Sequence, residues 1–427
     1  VSVTTFVEPS RDLPLVDVYF ITRTGSAYDP AGKEGALNLA LRALRRGTRT
    51  RTAQEIDAML DRAGAELSTA CDASSAMLHL TVIRRNLAPM LDLFAEVLTE
   101  PSLPPDELAQ VAREVRADLI DSRDDDRTLA GRFFRRTLFA GHPYGRPATG
   151  TAERVVTLTR DDALDAWRRA SRRGNVIVAA NGDISPEELD AFALRVSGGL
   201  SSKIPERPEI AAPTAPRGRQ LVLVDKPERS QTQIFIGGLG THPRDRDHHA
   251  LVLGNTVFGG TFTARLMREV RSKRGWSYGA SSRLGRDRAR EAWSMWTFPA
   301  ASDAAACVAL QLQLLERLVE EGVSTRELSF ARSYITRGHA FEVDTASKRL
   351  WQRIEVDLLD LPRTYYTRYL DHLRDVTLDD VNAALRRRLP VRDLVLSVVC
   401  TATELRDPLE AAVPHLRGTT VVPFDAD

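Results

Sequence analysis

The feature that most constrains this 427-residue chain is that it is written twice. Val156-Thr157-Leu158-Thr159-Arg160-Asp161-Asp162 precedes an amphipathic stretch and then the apolar run Val176-Ile177-Val178-Ala179-Ala180. At an offset of 220 residues, Val376-Thr377-Leu378-Asp379-Asp380 precedes a similar stretch and the run Leu394-Val395-Leu396-Ser397-Val398-Val399. The same offset carries Asp106-Glu107-Leu108 onto Arg326-Glu327-Leu328, and with small gaps Val16-Asp17-Val18-Tyr19-Phe20 matches Thr232-Gln233-Ile234-Phe235-Ile236. Chance does not readily give several matches in one order, and the period is too long for a solenoid repeat. The expectation is two homologous domains, residues 1-202 and 218-427. Between them lies a Pro-rich linker, 203-217, where Pro205, Pro208, Pro213 and Pro216 favour an extended, semi-rigid connector.

Within the first domain the elements are legible. Val16 to Ile21 alternates like a strand. Lys33 to Arg46 reads as a helix. Thr52 and Glu55 form a capping box before Ile56, Met59, Leu60 and Ala63, and Gly64 ends that helix. Leu67 to Val82 is strand-like. Asn86 reads as the cap of a helix with Leu87, Met90, Leu91, Phe94, Val97 and Leu98 on one face, and Leu108, Val111, Ala112, Val115 and Leu119 mark another. Strands and helices segregate, so each half reads as α+β, an antiparallel sheet packed against helices.

Composition excludes more than it selects. The apolar share of 43% and charged share of 27% are ordinary for a globular protein. A net charge of +1 argues against nucleic acid as the main partner, because phosphate binding usually needs a basic face. No apolar run reaches the length of a membrane span. Cys71, Cys307 and Cys400 are widely spaced and read as small buried apolar residues. The chain opens Val1-Ser2-Val3 with no Met, which reads as a trimmed start. Bacterial cytoplasm and periplasm both stay open as locations.

The segment Gly25-Ser26-Ala27-Tyr28-Asp29-Pro30-Ala31-Gly32-Lys33-Glu34-Gly35 leads into Ala36-Leu37-Asn38-Leu39-Ala40-Leu41-Arg42-Ala43-Leu44-Arg45-Arg46-Gly47-Thr48. It resembles the segment that carries the zinc helix in pitrilysin, insulysin and mitochondrial-processing-peptidase-like enzymes. Their H-x-x-E-H motif sets two His at i and i+4 on one helical face to grip zinc, with the Glu at i+3 as general base. Here those positions are Asn38, Leu41 and Arg42. An Asn amide is a poor zinc ligand, Leu cannot accept a proton, and Arg carries a fixed positive charge. The family's third ligand, a Glu further along, falls around Asp118. One carboxylate alone cannot hold a zinc, so the resemblance implies no metal in this chain. Of the remaining His, His248 and His249 read as a solvated turn in an Arg/Asp-rich loop. His142-Pro143-Tyr144-Gly145-Arg146 resembles a family segment whose role is structural.

The second half keeps what the first has lost. Gly259-Gly260-Thr261-Phe262-Thr263-Ala264-Arg265-Leu266 runs on to Arg271, Gly275-Trp276-Ser277 and Tyr278. This is similar to the family's second-domain signature, in which an Arg seven residues before a Tyr contacts substrate near the scissile bond. That pair maps onto Arg271 and Tyr278. Ala264 to Lys273 reads as a helix stopped by Gly275, with Trp276, Tyr278 and Ala280 alternating as in a strand. A Gly-Gly turn before a helix also suits a phosphate loop, but the Lys-Ser/Thr ending is absent.

The resemblance therefore implies the non-catalytic subunit of a heterodimer. Its zinc-bearing homologous partner would hold the metal, Arg271 and Tyr278 would act in trans on a substrate carbonyl, and peptide or unfolded polypeptide would add as a strand to a sheet edge. The alternative is a structural or peptide-binding relative with no peptidase partner, like the core subunits of respiratory complexes.

Overall fold

The computed structural model describes residues 3–201 and 209–427. The first part of the expected linker, Lys203 to Pro208, lies outside the described residues; Glu209 to Gly218 carry no helix or strand. Among the described residues the chain builds two sheets. In the first, β1 (Thr4–Pro9), β2 (Leu15–Thr22), β3 (Glu66–Cys71), β4 (Ala76–Ile83) and β5 (Val176–Gly182) lie in the order β1-β5-β2-β4-β3. In the second, β6 (Arg219–Asp225), β7 (Gln233–Leu239), β8 (Ala280–Leu284), β9 (Ala292–Thr297), β10 (Val395–Cys400) and β11 (Leu416–Pro423) lie in the order β11-β6-β10-β7-β9-β8. The ladders are antiparallel except at one end of each sheet, where β1 runs parallel to β5 and β6 runs parallel to β10 and β11. The α+β architecture expected from the sequence is present in both domains.

The first five α-helices of the first domain are α1 (Ala36–Ala43), α2 (Ala53–Ala63), α3 (Leu87–Thr99), α4 (Pro105–Asp121) and α5 (Asp126–Leu138). The Thr52–Glu55 capping box forms, with the Thr52 amide donating to Glu55 Oε2 at 2.8 Å, and Gly64 ends α2 at a φ of 58°. Two expectations are corrected. Asn86 does not cap α3; its amide donates to the Ala63 carbonyl at 2.8 Å and so ties α2 to α3. The helix expected from Lys33 starts only at Ala36, because Asp29 takes the role of cap. Its carboxylate accepts from the amides of Gly35 at 3.0 Å and Leu37 at 3.3 Å.

The two halves are joined by exchange. Helix α5 leaves its own domain and packs on the second sheet, where Leu129, Ala130 and Phe133 meet Val222, Val224 and Val399. The helix Ala346–Leu358 stands at the same 220-residue offset and does the reverse, with Leu350 and Ile354 on Tyr19, Ile21, Ile177 and Ala179 of the first sheet. Each fully buried Leu, Ile or Phe stabilises by about 1.5–3 kcal/mol. Ion pairs fasten both helices, Lys226 to Asp126 at 2.7 Å and Arg23 to Asp357 at 2.5 Å. The exchange also explains the two apolar runs in the sequence. β5 and β10 are covered on both faces, so they carry no polar alternation, whereas β4 alternates buried and half-buried.

The duplication slips where the capping boxes fall. Thr159 caps Arg160–Ala170 with Asp162, and Thr377 caps Leu378–Arg388 with Asp380, two residues out of step with the 220 offset. Tyr144 of the His142–Arg146 segment is buried between the domains, bonded to Ser74 Oγ at 2.6 Å and accepting from the Ala289 amide at 3.2 Å. That is a structural role.

Candidate functional site

The degenerate motif lies on α1 facing α4. Leu41 is 1% exposed and belongs to the core. Asn38 Oδ1 is buried with no hydrogen-bond partner among the described residues. Arg42 Nη1 donates to Asp118 Oδ2 on α4 at 2.7 Å, and one turn on Arg46 pairs with Glu114 at 3.0 Å. The carboxylate that aligns with the family's third ligand is thus taken up by a guanidinium from the chain itself. An amide oxygen, an aliphatic side chain and an arginine do not form a zinc site. No group of three or more His, Cys, Asp or Glu suited to a metal occurs among the described residues.

The second-domain segment is built differently. The helix His248–Phe258 ends in Gly259-Gly260, and close packing explains both glycines. A Cβ on Gly259 would sit 2.5 Å from the Ser282 amide of β8, and one on Gly260 would sit 2.8 Å from Thr256 Cα. Asn255 locks the turn to the sheet, its Oδ1 accepting from Trp293 Nε1 at 2.9 Å and Ser282 Oγ at 2.7 Å. Only Arg265–Met267 of the expected helix is α-helical; Arg268–Ser272 is a π-helical turn. α2, which follows the corresponding helix in the first domain, is regular. Such wide turns recur at functional sites because one extra residue re-aims the side chains that follow.

Gly275, at a φ of 68°, stops the helix as expected. The strand does not begin at Trp276; β8 starts at Ala280, and Tyr278 sits in the turn before it. That turn is held from below by buried Ser277, whose Oγ donates to the Gly279 carbonyl at 2.6 Å and accepts from the Phe298 amide at 3.0 Å. Tyr278 is left 75% exposed. Arg271 and Tyr278 do come together: the Arg271 guanidinium carbon stands 4.2 Å from the Tyr278 ring centre. It also stands 4.6 Å from the ring centre of Phe262, which is 69% exposed. Arg271 Nη1 is buried with no hydrogen-bond partner among the described residues. A guanidinium held by π faces keeps its N–H groups for an incoming oxygen.

The sequence did not single out Phe262. A Phe after a Gly-Gly turn belongs to no periodic stripe, and only its contact with Arg271 marks it. The solvated-turn reading of His248 and His249 is overturned. They open the helix His248–Phe258, and His248 is 1% exposed with Nδ1 3.3 Å from Thr241 Oγ1. The charges around them are answered elsewhere, since Asp247 accepts from Arg387 at 2.8 Å and Arg388 at 2.7 Å. Burial pushes His248 down to about 3 and His249 down to about 4, with His372 close by the latter. Both are held neutral at physiological pH, His248 buried and His249 half-buried. A cavity of about 880 Å³ between the domains is lined by residues such as Arg127, Phe235 and Trp296, and does not include Arg271 or Tyr278.

Comparison with known proteins matches the sequence and the overall fold of the chain to one family. Residues 11–152 fit the model "Insulinase (Peptidase family M16)", and residues 157–334 fit "Peptidase M16 inactive domain". A protein of Mycobacterium bovis named "Uncharacterized zinc protease" is 27% identical over 375 residues, spanning 86% of this chain and 84% of the relative. The "Non-peptidase homolog YmxG" of Helicobacter pylori is 21% identical, spanning 92% of this chain and 90% of its own length. The crystal structure of a peptidase M16 inactive domain from Pseudomonas fluorescens superposes with a TM-score of 0.85 at 26% identity, covering 93% of this chain and 95% of the other.

Proposed function

Because the chain belongs to the peptidase M16 family, we propose that it is the non-catalytic subunit of a heterodimeric zinc peptidase, completing in trans the active site of a zinc-bearing homologue. The observation that carries this is the contrast in donors. The motif helix turns its own Arg42 on Asp118, while Arg271 has no carboxylate partner among the described residues and stands beside Tyr278, which is 75% exposed. In this reading the partner holds the zinc and the general base. This chain adds a fixed positive charge from Arg271 and a phenol from Tyr278, both suited to a peptide carbonyl as it becomes an oxyanion. The substrate class is peptide or unfolded polypeptide, read through its backbone at a sheet edge. Among the described residues no helix is long and apolar enough to cross a membrane.

The test is co-expression with each zinc-bearing M16 homologue of the same organism, followed by size-exclusion chromatography and metal analysis. The expected result is a stable complex burying more than about 2,000 Å², with zinc and chelator-sensitive proteolysis confined to the complex. Tightly held zinc and peptidase activity in the isolated chain would contradict the reading. Failure to co-elute with any such homologue would favour the alternative, a structural or peptide-binding relative, toward which the non-peptidase name of the H. pylori relative points.

A further inference from the structure

The segment from Arg265 to Arg274 carries five cations, and four of them are answered by acids. Arg265 makes a two-pronged contact with Glu327 at 2.7 Å in each arm. Glu269 takes Lys273 at 2.7 Å, Arg274 at 3.1 Å and Arg268 at 3.6 Å. Arg271, in the middle of the π-helical turn, has no carboxylate partner among the described residues. Its guanidinium carbon instead stands 4.2 Å from the ring centre of Tyr278 and 4.6 Å from that of Phe262. A single exposed Phe is ordinary on a protein surface, but this ring forms one wall of the space that holds the cation.

We infer that Phe262 is a positioning residue for the half-site. It holds the guanidinium of Arg271 through its π face in place of an internal acid, so that no carboxylate of the chain competes with substrate for the N–H groups. A carboxylate would fix Arg271 more tightly and would also consume the donors that the reaction needs. A ring attracts the cation through its quadrupole and leaves the N–H edge open. The inference rests on the reading of Arg271 as a substrate contact, and it adds a residue and a means of holding that the family resemblance did not supply.

Two measurements test it together. In the isolated full-length chain, phenylglyoxal modification of Arg271 is followed by peptide mass mapping, with exposed Arg283 as internal standard. Phe262→Leu keeps apolar bulk and removes the π face; it is expected to raise Arg271 modification roughly 3-fold to 10-fold, whereas Phe262→Trp stays near wild type. In the complex with the zinc-bearing partner, Phe262→Leu is expected to lower kcat by a similar factor with KM little changed, and Phe262→Trp to restore it. Unaltered Arg271 reactivity or unaltered kcat in Phe262→Leu overturns the inference. Arg271→Ala in the same turnover assay separates the two ideas. If it lowers turnover and Phe262→Leu does not, only the role of Phe262 falls. If Arg271→Ala is itself silent, the half-site reading falls, and the modification rate still decides whether Phe262 holds the guanidinium.

Discussion

The two arginines at the candidate sites, Arg42 and Arg271, occupy opposite electrostatic situations in homologous domains. Arg42 is closed within the chain, 2.7 Å from Asp118, beside a second Arg–Glu pair between the same two helices. Arg271 lies close to two rings, and its buried Nη1 has no acceptor among the described residues. Leaving a buried donor unpaired costs about 1–3 kcal/mol. One domain has turned the charged groups of its inherited site on each other, although Asn38 Oδ1 there is also buried without a partner among the described residues. The other leaves a cation, Arg271, with no carboxylate partner among the described residues, as the proposed function requires of a group that meets another molecule. Under the proposed function, what remains of the chemistry lies not where the motif stood but where the chain gives a cation no acid of its own.

The comparison can be broken most forcefully at Leu41. If that site is closed and packed, Leu41→Glu buries a carboxylate with no partner in a position 1% exposed, and stability should fall by about 3–5 kcal/mol in a denaturant melt. The same cost burdens any attempt to rebuild the motif with Asn38→His, Leu41→Glu and Arg42→His, which should not give an efficient peptidase. A fully stable Leu41→Glu chain would mean that the site is still open.

A middle-sized effect is expected at Glu327, which anchors the Arg265 end of the Arg271 segment. Arg265 and the Ser324 cap pull its carboxyl down to about 2, against the burial that would raise it. The folded value lies below the ordinary 4.5. Its stabilisation is therefore fully present above pH 4.5 and is lost as the pH falls toward 2. Glu327→Gln should cost about 1–2 kcal/mol at neutral pH, reduced by solvent screening of a partly exposed pair, and should flatten the acid limb of the stability curve. Equal acid sensitivity in wild type and variant would remove this anchor from the account.

The smallest effect is expected at the closed pair itself. Arg42 and Asp118 are 35% and 61% exposed, so Arg42→Leu with Asp118→Leu should change stability by less than about 1 kcal/mol. It should leave the partner's turnover untouched. A marked drop in turnover would show that the old site still takes part in chemistry.

Much of this was legible in the residues, and the illegible parts share a cause. The duplication, the α+β class and the lost motif follow from linear pattern and side-chain chemistry. The exchange of α5 for Ala346–Leu358 does not, because a helical stripe states how much apolar surface must be covered and not which sheet covers it; only the unbroken apolar runs of β5 and β10 hinted that both faces were occupied. The π-helical turn at Arg268–Ser272 leaves no mark in composition. His248 was misread because its charged neighbours suggested solvent, while Arg387 and Arg388, far along the chain, neutralise Asp247 and let the histidine turn inward. Phe262 escaped notice because its significance lies in a contact across a turn rather than in a period.

The most direct test of the central claim is the turnover of the assembled peptidase carrying Tyr278→Phe or Arg271→Ala. Tyr278→Phe removes one hydroxyl from a side chain that is 75% exposed, so assembly and the partner's zinc should be unchanged. Loss of one preorganised donor costs about 2.7–4 kcal/mol, or roughly 10²–10³ in rate. Turnover should fall by a factor of that order in each variant, with a thermal melt of Arg271→Ala controlling for the loss of its aliphatic stem. Variants that assemble normally and cleave peptide at the wild-type rate would contradict the claim, and would make this chain a wall of the chamber rather than part of its active site.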